Sequence, residues 1–181
     1  MPLPPAASLL PLVLVPVLSP PMVVDARFDR ADGFAPAAAV SHVTDLVPYG
    51  SHVRVTVTRG PGRTTVALAV EGLAPRHEFP AHVHTGRCGL DPAASGPHYQ
   101  DRVDAAQPSA DSAYADGDNE LRLTLRTNAD GAGRTQTTVP WTFRPDEAHS
   151  LVLHAGRQSG GHQPTRAYQS TDRAACVNVD F

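Results

Sequence analysis

An all-β domain, a sandwich or flattened barrel of short antiparallel strands, is what this sequence predicts, on three observations. From residue 50 onward apolar and polar residues alternate with a period of two, the pattern of strands with one buried face. Fourteen glycines and eighteen prolines are spread along the 181 residues, which interrupts helices and punctuates turns. No stretch reads as an amphipathic helix.

The elements follow in order. "HVRVTVT" (52–58) and "TTVALAVEGL" (64–73) form a hairpin around the turn "RGPGR". "FPAHVH" (79–84) is a third strand. "ELRLTLRTN" (120–128) and "TQTTVPWTF" (135–143) are the fourth and fifth, joined by the turn "ADGAG". "SLVLHA" (150–155) and "ACVNVDF" (175–181) complete the set. Two long loops, 85–119 and 156–173, break the rhythm, and loops of that length in a compact domain usually serve function.

Ahead of these strands, residues 1–26 carry no charged side chain before Asp25 and have an apolar centre from Ser8 to Leu18, which reads as an export segment. Its prolines argue against a membrane-spanning helix, so no stable membrane insertion is expected after processing. Residues 27–49 read as an Ala-rich linker and 50–181 as the folded domain. An extracytoplasmic location follows. The formal charge is −3, whereas a nucleic-acid surface needs a cationic excess, so no nucleic-acid partner is expected.

The chemistry lies in the histidines at the loop roots. In "PAHVHTGRCG" (80–89), His82 and His84 share one strand face while Val83 takes the other, with Cα atoms about 6 to 7 Å apart. His-x-His alone is a weak metal signal, and surface histidines without a role are commoner. "SGPHY" (95–99) adds His98 on a Gly-Pro turn, and "LVLHAG" (151–156) adds His154 at the end of an apolar strand. Four imidazoles without a thiolate or thioether suit Cu(II), though zinc accepts histidines too. The two cysteines, Cys88 and Cys176, are either a disulfide, as expected of a pair in an exported chain, or two buried thiols.

Taken together, "AHVH", the following Cys88, "GPHY", "LVLHAG" and "RAAC" resemble, in their order, the copper/zinc superoxide dismutase family over residues 50–181. The resemblance implies an eight-stranded Greek-key β-barrel. It implies His82, His84, His98 and His154 as copper ligands and Cys88–Cys176 as an intrachain disulfide. Arg173 falls where the family has its channel arginine, which steers the superoxide anion. His98 takes the place of the bridging histidine, which by the resemblance implies a role in proton delivery.

The pattern departs from the family in "QDRVDAAQPSADSAYADGDNE" (100–120), which contains no histidine where zinc-binding members supply two. Asp116 and Asp118 lie near the place of the family's zinc aspartate, but carboxylates alone are a poor zinc set. After His154, Gln158 stands in a stretch that offers no acid to bridge two metals. The expectation is therefore a copper-only enzyme that dismutes superoxide to dioxygen and hydrogen peroxide, without zinc. The alternative is a copper-binding or copper-buffering protein with little catalysis. His162, in "SGGHQPTR", is a spare copper contact at most.

Overall fold

The computed structural model describes residues 20–31, 37–107, 109–158, 169 and 171–181. The strands are β1 (Met22–Arg27), β2 (Ala39–Ser41), β3 (His52–Gly60), β4 (Arg63–Glu71), β5 (His77–His84), β6 (Arg122–Arg126), β7 (Gly133–Val139), β8 (Ser150–His154), β9 (Arg157–Gln158) and β10 (Arg173–Asn178). One short 3₁₀ helix, Pro92–Ser95, interrupts the first long loop.

Two antiparallel sheets face each other. One runs β1-β3-β4-β7; the other runs β2-β10-β8-β5-β6, with β9 added beside β5. The sheets are not closed into a continuous barrel, so of the two forms expected from the sequence the sandwich is the one found. Alternation supplies the core between them: Val53, Val55 and Val57 of β3 and Val66, Leu68 and Val70 of β4 meet Phe79, Ala81 and Val83 of β5 and Leu151 and Leu153 of β8, all essentially inaccessible to water.

The linker expected over residues 27–49 is corrected by the structure. β1 pairs with β3 along its whole length, from Met22↔Val57 to Arg27↔His52. β2 pairs with β10, and Phe28, Ala39, Val40, Leu46 and Val47 are buried in the core. The physical reason is that these residues cover the apolar edge that β3 and β10 would otherwise expose. Residues 22–26, read as part of the export segment, are thus the first strand; residues 1–19 lie outside the described residues, as does His162.

Candidate metal centre

The strand register assembles the site. On the outward face of the larger sheet, His82 of β5 stands directly across from Arg122 of β6 on one side and Val152 of β8 on the other. His154 is two residues beyond Val152, so it sits diagonal to His82 on the same face. Arg173 of β10 is the direct partner of His154. The first long loop then folds back along the end of β5. Thr85 N–H donates to Pro97 O (3.1 Å) and Tyr99 N–H to Val83 O (2.8 Å), which sets His98 opposite His84.

The four imidazoles cluster. Ring centroids are 4.2 Å apart for His82–His98, 4.8 Å for His84–His98, 5.1 Å for His82–His154 and 5.6 Å for His84–His154. The ligand atoms of His82, His98 and His154 lie within 4.8 Å of one another, the one such group among the described residues.

Hydrogen bonding fixes which nitrogen of each ring is free. Nδ1–H of His84 donates to Gly96 O (2.9 Å), Nδ1–H of His154 to Thr171 O (2.9 Å), and Nδ1–H of His98 to Glu120 Oε2 (3.1 Å). Each of these three rings therefore carries its Nε2 lone pair inward. The Nε2 atoms of His84 and His154 are only 3.4 Å apart, with no proton left to share between them. The fourth ring, His82, has a buried Nδ1 with no partner at all. Facing lone pairs and an orphaned buried nitrogen are costly unless a cation sits among them. This donor set fits a metal ion, with outer partners that orient each imidazole.

Burial keeps the rings of His82, His84 and His154 neutral, as ligation requires. It lowers the pKa of His82 to about 3, helped by the nearby His98 and His154, and that of His84 to about 2. His154 is lowered for the same reason.

Glu120, which the sequence did not single out, organises the loop side. Its side chain is 3% exposed. Oε2 accepts from His98 and from Arg122 (Nε 3.2 Å, Nη2 2.9 Å), and Oε1 accepts from Gln100 Nε2 (3.1 Å). Burial alone would raise its pKa; the hydrogen bonds from His98, Arg122 and Gln100 overcome that and hold it at about 2. A signal existed: Glu120 and Arg122 alternate with Leu121 and so share the strand face of His82. Asp116 and Asp118 have other work. Asp116 Oδ1 accepts from the backbone of Asp118 and Asn119, and Asp118 O accepts from Trp141 Nε1 (2.7 Å). They shape the turn that delivers Glu120.

Cys88 and Cys176 form the disulfide. It joins the first long loop to β10, and Cys88 N–H donates to Asn178 Oδ1 (3.0 Å) beside it. Arg173 is fixed against the same loop: Nη1 donates to Pro92 O and Ser95 Oγ (both 2.8 Å) and Nη2 to Gly96 O (2.7 Å), the carbonyl that also receives His84. At Gly96, with φ +69°, a Cβ would lie 2.6 Å from Thr85 Oγ1, so only glycine allows this close passage. Arg173, His82, His98 and His154 line one cavity that opens to the surface.

A copper/zinc superoxide dismutase family model matches residues 51–179. Among solved structures, Cu/Zn superoxide dismutase from Brucella abortus superposes with TM-score 0.51 at 20% identity, covering 88% of this chain and 100% of that one. The clock protein EA4 matches with TM-score 0.49 at 16% identity (82% and 98% covered). A double mutant of a superoxide dismutase-like protein from Bacillus subtilis gives 0.47 at 15% (71% and 90%). No curated protein sequence matches the chain significantly.

Proposed function

The chain belongs to the copper/zinc superoxide dismutase family, and on that premise we propose that it dismutes superoxide outside the cytoplasm with copper as its single metal. The observation that carries this reading is the cluster of four imidazoles: ligand atoms of His82, His98 and His154 lie within 4.8 Å of one another, Nε2 of His84 faces Nε2 of His154 at 3.4 Å, and Nδ1 of His82 is buried without a partner. Four imidazoles without a thiolate or thioether favour Cu(II) in the divalent affinity order. When bound, copper supplies a one-electron couple that accepts an electron from one superoxide and returns it to a second.

The remaining work falls to the chain. Arg173 attracts the anion: three of its five N–H groups are tied to the 92–96 loop, leaving two for the substrate. Such a charge at the opening of a cavity brings association toward about 10⁸ M⁻¹s⁻¹ or above, with strong salt dependence. His98 orients by its Nδ1–H bond to Glu120, which points that proton away from the cavity; the two protons needed for peroxide then come from water. The same bond supports the single-metal reading. The nitrogen that would reach a second metal is already donating to a carboxylate.

The apolar stretch from Ser8 to Leu18 and the disulfide support export. Among the described residues no helix is long and apolar enough to cross a membrane. The test is electron paramagnetic resonance of the chain loaded with one equivalent of Cu(II). A tetragonal signal with four nitrogens is expected, falling to three in His82→Ala; a signal that His82→Ala leaves unchanged would overturn the site.

A further inference from the structure

We propose that Arg122 is a positioning residue of this centre, which holds Glu120 against His98 and sets the reduction potential of the bound copper. The inference rests on the copper reading above and goes beyond it by assigning a residue that touches none of the four rings through a hydrogen bond.

Two observations converge on Arg122. Its Nε and Nη2 both reach Glu120 Oε2, the same oxygen that receives His98 Nδ1–H, so guanidinium, carboxylate and imidazole form one chain of charge-assisted bonds. It is also the direct cross-strand partner of His82, so it approaches the centre through two of the four rings at once.

The geometry explains why this is more than a surface ion pair. An exposed pair contributes little because water screens it. Here the acceptor is buried and the donor half-exposed, with side-chain exposures of 3% for Glu120 and 41% for Arg122. Removing the guanidinium leaves a buried carboxylate charge facing the histidine cluster, and a buried charge stripped of its partner is costly. Net charge near the copper then falls by one. A more negative surrounding favours Cu(II) over Cu(I), which lowers the potential. Removing the carboxylate charge does the reverse.

The experiment is a redox titration of the copper-loaded full chain as wild type, Arg122→Gln, Arg122→Lys and Glu120→Gln, each checked for folding by circular dichroism. Arg122→Gln should shift the Cu(I)-to-Cu(II) preference at least tenfold toward Cu(II), about 59 mV downward for a one-electron couple. Glu120→Gln should shift it upward, and Arg122→Lys should restore most of the wild-type value. A purely structural role would loosen His98 in both Gln variants and move the potential in one direction. Shifts of the same sign, or none in Arg122→Gln, overturn the proposal. Should Arg122→Gln not fold, the sign in Glu120→Gln decides alone: upward supports the proposal, downward or unchanged overturns it. A wild type that takes up no copper would instead overturn the functional reading.

Discussion

The two arms of the metal centre are built by different means. His82, His84 and His154 stand on β5 and β8, where a ladder of paired strands and an apolar core fix them. His98 stands on a loop that two backbone bonds tie to the end of β5, and side-chain chemistry does the rest: Glu120, Gln100 and Arg122 on one flank, the disulfide and Arg173 on the other. Strand ligands depend on packing over many residues, whereas the loop ligand depends on a few named bonds. The strand arm should therefore fail abruptly and the loop arm by degrees.

The largest effect is expected on the strand arm. His82→Ala should hold copper more weakly, through three nitrogens, and reduce dismutation by more than ~100-fold, beyond what changes to outer partners produce; a copper titration with the activity assay on the same sample checks it. Gly156→Ala attacks the same arm through the backbone. At φ +58° a Cβ on Gly156 would lie 1.8 Å from Glu78 O, and His154 ends two residues earlier. A loss of about 3 kcal/mol or more in denaturant unfolding is expected, and near-wild-type stability would show that the chain after His154 can relax.

On the loop arm, Cys88→Ser should cost about 2 to 5 kcal/mol of stability. Copper should still bind, and more weakly. Equal stability with and without the bridge would place the loop's rigidity in its hydrogen bonds instead. Arg173→Ala should leave copper content unchanged while lowering dismutation about tenfold at low salt and flattening its salt dependence. An unchanged rate at low salt removes the steering role.

The smallest effect is a pH dependence of the metal-free chain. The folded-state pKa values of His82 and His84, about 3 and about 2, lie below their ordinary value near 6.5, so the unfolded chain binds protons first. Stability from the neutral rings is full above about pH 6.5 and is lost as pH falls toward 3. Melting temperature measured from pH 7.5 to 4 should fall in that window, and copper should suppress the fall. A flat profile would mean that the rings are less enclosed than the structure places them.

How far the sequence could be read follows the same division. Alternation revealed seven strands, because residues such as Val53, Val55 and Val57 advertise a buried face. It did not reveal β1. "MVVDAR" follows an apolar run, and its half-buried edge has no alternation strong enough to stand out from it. The four histidines were legible from their contexts. Glu120 was legible only as a residue on the strand face of His82; its bond to His98, 22 residues earlier, forms only when the loop folds back. The aspartates near the place of the family's zinc aspartate read as a poor zinc set, and Asp116 spends its carboxylate on its own turn.

The most direct test measures copper and zinc content by mass spectrometry on the chain loaded with both metals, and assays superoxide dismutation on the same sample. One copper, no zinc and fast dismutation is the predicted result. One copper without dismutation would make this a copper-binding protein on a dismutase fold, and zinc in place of copper would contradict the assignment of these four histidines.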